Sequence, residues 1–167
     1  MGKEIDQKMK IRPLISKDRD RLWRMVIETG VFTDEEVGVA MELIDLVLEN
    51  ESQQDYRIVC AVDDQDQPQG YVCYGPVPMT QGAFDLYWIV IDPAVQGRKI
   101  GSILLDYLEE QVRGLKGRMI LADTSSIPSY EKAQGFYLKR GFQEVARISD
   151  YYWEGNDRIT YCKKLKA

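Results

Sequence analysis

The 167-residue sequence contains no histidine. That absence removes Ser-His-Asp and Cys-His catalysis, and with them every metal site that needs an imidazole. A group titrating near neutrality must then be a perturbed carboxylate, a thiol, the N-terminal amine or the substrate itself. Cysteine is scarce: Cys60, Cys73 and Cys162 are odd in number and lack the close pairing of a zinc site. Each sits in an apolar or alternating run, such as Ile58-Val59-Cys60-Ala61-Val62, and is expected to be a buried, reduced thiol. Long apolar runs are missing too, since residues 86–91 fall far short of the ~20 that span a bilayer. No leader peptide is visible, and Met1-Gly2 lacks the downstream Ser or Thr of a myristoylation signal. Positive charge is in deficit: 22 Lys and Arg against 27 Asp and Glu leave a net charge of −5. These shortages predict a cytoplasmic protein with no metal, no membrane contact and no nucleic-acid partner, and they accord with amine substrates, which are cations in water.

The 44% hydrophobic and 29% charged residues are ordinary for a globular domain. The length suits one core, and no repeat or linker divides the chain, so residues 9–165 read as a single domain. Residues 1–7 are polar and read as a frayed start. A strand over 9–13 precedes a helix over 17–28 with Ser16 as its cap. Thr33-Asp34-Glu35-Glu36 caps a second helix, whose inner face carries Val37, Ala40, Met41, Ile44 and Leu48. Residues 56–62 and 70–74 form a hairpin about the polar turn 63–68. The strongly apolar stretch 85–91 reads as a central strand, covered on both faces. Helices over 102–113 and 129–140 alternate with a strand over 118–122, and Gly141 stops the last helix. Strands over 142–148 and 158–164 flank a turn at 154–157. The order β-α-α-β-β-β-α-β-α-β-β, with one parallel crossing, predicts a mixed α/β domain.

The informative segment runs Asp92-Pro93-Ala94-Val95-Gln96-Gly97-Arg98-Lys99-Ile100-Gly101-Ser102, between an apolar strand and an amphipathic helix. At such a junction backbone N–H groups and the helix N-terminus converge on one point and stabilise an anion. Gly97 and Gly101 let backbone approach a phosphate, while Arg98 and Lys99 add positive charge. A plain turn has the same look. The run is no Walker loop, and it has only two of the glycines of a dinucleotide fingerprint.

This run resembles the Gln/Arg-x-x-Gly-x-Gly/Ala loop of the GNAT N-acetyltransferases, which grips the coenzyme A pyrophosphate. Gln96 stands first and Gly101 last, and Lys99 replaces the usual middle glycine. Ala133-Gln134-Gly135-Phe136-Tyr137-Leu138-Lys139-Arg140-Gly141-Phe142 is similar to the family's late helix, Ala-x-x-x-Tyr-x-x-x-Gly-Phe. Tyr130 stands where that helix often has Asn.

The resemblance implies the GNAT acyl-CoA fold, acetyl-CoA as co-substrate, and a cofactor site of Gln96, Gly97, Arg98, Lys99, Ile100, Gly101 and Ser102. It further implies that the strand before the loop bulges and splays from its neighbour, admitting the pantetheine arm beside Ile89, Val90 and Ile91. Ile89 and Ile91 would offer backbone groups there, and an N–H at Ile89 or a neighbour would hold the acetyl oxygen. Tyr137 falls at the end of that arm as proton donor to the departing thiolate, or merely packs its helix. Asp85 corresponds in position to a Glu of histone-modifying members. It is either a base with a pKa raised by Phe84, Leu86 and Tyr87, or a solvated strand-start aspartate. Tyr151-Tyr152-Trp153 and the segment 124–128, read as loops, would build the acceptor pocket with Tyr87, Trp88 and the loop 76–82.

The resulting expectation is acetyl transfer from acetyl-CoA to a primary amine, small-molecule or peptide, by direct attack. The alternatives are a catalytically idle GNAT domain that binds or senses acyl-CoA, with Lys99 as its best support, and an interaction module. The final hairpin offers an edge for a homodimer.

Overall fold

The structure, a computed structural model, describes residues 9–166; the polar stretch 1–7 and the Met1-Gly2 pair lie outside the described residues. Strand β1 spans Lys10–Pro13, and helices α1 (Arg19–Glu28) and α2 (Asp34–Glu49) follow. Next come β2 (Arg57–Val62), β3 (Pro68–Pro76) and β4 (Ala83–Ile91), then helix α3 (Ile100–Gly114) and β5 (Met119–Ser125). Helix α4 (Glu131–Lys139), β6 (Gln143–Trp153) and β7 (Asn156–Lys164) complete the chain. The strands form one sheet in the order β1-β2-β3-β4-β5-β7-β6, antiparallel except for the β4–β5 pair. This is the mixed α/β order that the hydrophobic patterning predicts.

Period-2 alternation sorts the strand residues between two cores. Val59, Ala61, Val72, Phe84, Leu86, Ile120 and Ala122 face α3 and α4, meeting Leu104, Leu108 and Tyr137. Ile58, Cys60, Val62, Tyr71, Cys73 and Val90 face α1 and α2, meeting Leu22, Met25 and Ile44. The three cysteines are free and buried, and burial pushes the Cys60 and Cys73 thiols up to about 12, where they stay protonated.

The cap of α2 forms as the sequence indicates. Thr33 Oγ1 accepts from Glu36 N–H at 3.2 Å, and Glu36 Oε2 accepts from Thr33 N–H at 2.7 Å. Ser16 does not cap α1. Residues Ser16–Asp18 form a 3-10 turn, and the buried Asp18 carboxylate accepts from Ile15 N–H at 3.0 Å while pairing with Arg12 at 2.7 Å. An ionised acceptor held by an arginine displaces the weaker hydroxyl.

Two segments read as loops are strand. Strand β5 continues through Thr124 and Ser125, both buried. Strand β6 continues through Tyr151, Tyr152 and Trp153 past an irregularity that holds Asp150 at φ +54°. β6 is the outer strand and is exposed along its whole length.

Candidate active site

The site begins with a fault in the sheet. Cys73 pairs with Trp88 but Tyr74 pairs with Leu86, so Tyr87 is an extra residue on β4. The bulge turns both Tyr87 and Trp88 toward the α1/α2 side. Beyond it β4 leaves its other neighbour: the β4–β5 register covers Ala83, Phe84 and Asp85 and no later residue. Asp92 N–H donates to Gln69 O at 2.9 Å. Antiparallel alternation from that bond sends the polar groups of Val90 to β3, and turns those of Ile89 and Ile91 toward the gap that β5 has left. The Val90 side chain is buried in the α1/α2 core.

The loop after β4 is fixed at its root. Asp92 is buried, accepts from Ala94 N–H at 2.9 Å, and pairs with Arg21 of α1. Gly97 has φ +87° and Lys99 has φ +59°, ψ 19°, a left-handed conformation immediately before α3. Ile103 N–H bonds back to Lys99 O at 3.0 Å, so the N–H groups of Ile100, Gly101 and Ser102 have no partner within the helix. All three residues line one cleft, together with Gln96, Gly97 and Lys99. A Cβ on Gly101 would stand 3.4 Å from the Phe136 ring, in ordinary contact, so a side chain longer than a methyl would crowd the ring between α3 and α4. Arg98 is exposed and outside the cleft wall.

The cleft has a volume of about 1070 Å³ and is reached from both faces of the sheet. On the α3/α4 side its wall includes Ala133, Phe136 and Tyr137. Tyr137 packs on Phe136, Phe142 and Tyr161, and burial alone pushes its phenol well above the usual value. Thr124, on the same face of β5 as Ile120 and Ala122, is buried, and its Oγ1 has no hydrogen-bond partner among the described residues. An electropositive helix end with free N–H groups, free strand backbone and an unpaired hydroxyl thus fit a phosphate-bearing ligand with amides and a carbonyl along its length.

The α2 side of the cleft is aromatic and acidic. Phe32 meets Trp88 at 4.9 Å between centroids and Tyr130 at 6.4 Å, both edge-on. The Tyr130 hydroxyl donates to Glu36 Oε1 at 2.8 Å. Asp123 accepts from Arg158 at 2.6 Å and from Thr160 at 2.6 Å. Asp85 does not line the cleft; burial raises its pKa first, and the Asp123 charge adds to the rise. Burial, then the Asp85 charge, pushes Tyr87 up to about 12.

Of the residues expected at an acceptor pocket, Tyr87, Trp88, Thr124, Ser125, Tyr152 and Trp153 line the cleft, whereas Tyr151, residues 126–128 and the loop 76–82 do not, and Met79 is fully exposed. Sequence reasoning missed Phe32, Asp123 and Phe136. Glu36 was legible only as a cap, although the same carboxylate serves both places. Among the described residues, no group of three His, Cys, Asp or Glu side chains could hold a metal, and no helix is long and apolar enough to cross a membrane.

Residues 54–144 match the family model of the acetyltransferase (GNAT) domain. A solved Desulfovibrio desulfuricans protein of the GNAT family is 37% identical, with a TM-score of 0.87 over 94% of this chain and 99% of that one. An aminoglycoside 6'-N-acetyltransferase complexed with coenzyme A shares the fold at 20% identity, with a TM-score of 0.74 over 95% of this chain and 98% of that one. The ribosomal-protein-S18-alanine N-acetyltransferase of Escherichia coli does so at 16%, with a TM-score of 0.74 over 96% of each chain. No curated protein matches the chain.

Proposed function

Since the chain belongs to the GNAT acetyltransferase family, we propose that it transfers an acetyl group from acetyl-CoA to a primary amine by direct attack, without an acyl-enzyme. The observation that carries this reading is the parting of β4 from β5 after Asp85, which joins the α3/α4 and α2 sides of the sheet through one cleft.

Acetyl-CoA supplies an activated acetyl thioester. The first turn of α3 and the backbone at Gln96, Gly97 and Lys99 hold its phosphates, with the positive helix end turned to the cleft. The free backbone groups of Ile89 and Ile91 bind the amide-bearing arm, and the Ile89 N–H holds the acetyl oxygen as charge grows on it. Tyr137, kept protonated by burial, delivers a proton to the leaving sulfur. Asp85 is outside the cleft lining, so it takes the proton of the amine through water. The reading treats residues 9–165 as one catalytic domain working in the cytoplasm, and the free, buried cysteines are in keeping with a reducing compartment. The exposed edge of β6 is where a second copy would pair, which light scattering in solution tests.

Free-thiol release from acetyl-CoA across a panel of amines tests the activity. Amine-dependent release is expected. Binding of acetyl-CoA with no release for any amine would leave a binding module, and no binding at all would remove the coenzyme.

A further inference from the structure

Asp85 does not line the cleft, whereas Tyr87, two residues further along β4, does. Phe84 and Leu86 point into the α3/α4 core, so alternation sends Asp85 to the opposite face, where Tyr87 also lies. The ring of Tyr87 leans back along the strand. Gly75 of β3 is the register partner of Asp85, and a Cβ on Gly75 would stand 3.5 Å from Tyr87 Cε2. Cε2 adjoins the carbon that bears the hydroxyl, so the phenol end lies over the residue that pairs with Asp85. The same Cβ would meet Asp55 O at 1.8 Å, which restricts the position to glycine. Tyr56, itself in the cleft wall, packs on the Tyr87 ring at 5.1 Å between centroids.

The carboxyl and the phenol act on each other. A hydrogen bond from Tyr87 offsets part of the rise that burial and Asp123 impose on Asp85. In return the Asp85 charge is the second cause, after burial, of a phenol pushed up to about 12. The other groups that act on the pair are Asp123 of β5 and Arg158 of β7 on Asp85, and Tyr56, Cys73 and Asp55 on Tyr87. Asp123 is engaged by Arg158 and Thr160, and the Cys73 thiol stays protonated. Tyr87 holds its own proton at neutral pH, so it is no base. It can pass a proton on only as it receives one.

Resting on the acetyltransferase reading, we propose that Tyr87 is the proton relay between the cleft and Asp85. The water that takes the amine proton gives one to Tyr87 Oη, and Tyr87 gives its own to an Asp85 oxygen. One proton leaves nitrogen, one arrives on the carboxylate, and neither water nor phenol ends charged. The nitrogen lone pair forms the C–N bond, and the electrons of the broken N–H bond become the lone pair of the amide. The C–S pair leaves with sulfur, which Tyr137 protonates. Asp85 then loses its proton to solvent and Tyr137 takes one back.

The test uses the whole protein, acetyl-CoA, and whichever of n-butylamine, 1,4-diaminobutane and glycinamide releases thiol fastest. Tyr87→Phe keeps the ring against Tyr56 and removes the hydroxyl. Turnover should fall by roughly 10²–10⁴, while acetyl-CoA affinity, read by calorimetry, stays put. The Asp85 carboxyl loses a donor, so its NMR titration and the rising limb of the rate profile should both move to higher pH. Asp85→Asn should slow turnover to a similar degree, and the double variant should match the slower single variant within a factor of about three. Turnover of Tyr87→Phe within a factor of about three of wild type would overturn the relay and leave the acetyltransferase reading standing. So would an unmoved Asp85 titration, or losses that multiply in the double variant. Absence of thiol release from wild type with every amine would overturn both.

Discussion

Tyr130 and Glu36, 94 residues apart in sequence, are joined by a 2.8 Å hydrogen bond that ties the start of α4 to the start of α2 across the cleft. The same carboxylate caps α2 through Thr33 N–H, so one side chain serves the helix and the cleft together. Tyr130→Phe removes the bond and keeps the ring. The variant should lose about 1 kcal/mol, a Tm drop of ~2–4 °C for a domain of this size, and its KM for the acceptor amine should rise. An unchanged melting curve and unchanged steady-state constants would show that the tie does nothing.

Lys99 gives a second prediction. Its left-handed backbone costs a side-chain-bearing residue ~1–2 kcal/mol, against ~0.5–1 kcal/mol that a glycine loses in chain entropy. Lys99→Gly should therefore stabilise the fold by roughly 0.5–1 kcal/mol in chemical denaturation and hold or improve acetyl-CoA affinity. A destabilised variant would mean that the lysine side chain earns its place by contacts that outweigh the strain.

Gly101 should be intolerant. At about 100 times its dissociation constant, acetyl-CoA should add ~2.7 kcal/mol of stability to the wild type. A leucine at 101 fills the space against Phe136 and should abolish that increment in thermal-shift measurements. Retention of the full shift would place the coenzyme elsewhere.

Tyr137→Phe deletes only a hydroxyl. No hydrogen bond contributes to its perturbed pKa, so melting temperature and acetyl-CoA affinity should barely move. Turnover should fall by roughly 10²–10⁴ if the phenol is the proton donor. Turnover within a factor of about three, with chemistry rate-limiting, would reduce Tyr137 to packing.

Asp85 makes a prediction in pH. Its pKa in the fold is raised above the ordinary 3.8, so its contribution favours folding below that value and is lost as pH rises through the raised one. Asp85→Asn should melt higher than wild type at pH 7 and show no such advantage below pH 3.8. If the carboxylate is also the base, the rising limb of the rate profile should move or vanish in the variant. A superimposable profile with the same rate would exclude it as the base.

Much of the scaffold is legible in the sequence because it depends on neighbours along the chain. Periodicity locates the helices and strands, Thr33 announces α2 by its spacing to Glu36, and the Gln96-to-Gly101 run marks the anion end of α3. The strand ends are harder, because β5 and β6 extend through polar and aromatic residues whose strand character comes from pairing with β7. The cleft is the least legible part. The bulge at Tyr87 is a register event between two strands, and Glu36, Asp123 and Phe32 reach the cleft from elements far apart in sequence. Ser16 was a plausible cap that lost to a carboxylate fixed by Arg12, a residue outside the helix.

The strand pairing between the two halves of the sheet rests on three residue pairs, Ala83 with Met119, Phe84 with Ile120 and Asp85 with Leu121. From β5 onward the strands pair among themselves, β7 lying antiparallel between β5 and β6. Amide hydrogen exchange should therefore divide the molecule there, with the β5-β7-β6 strands opening as a unit before the sheet as a whole unfolds. A ligand lying in the gap touches both halves, so its binding energy adds directly to the cost of that opening.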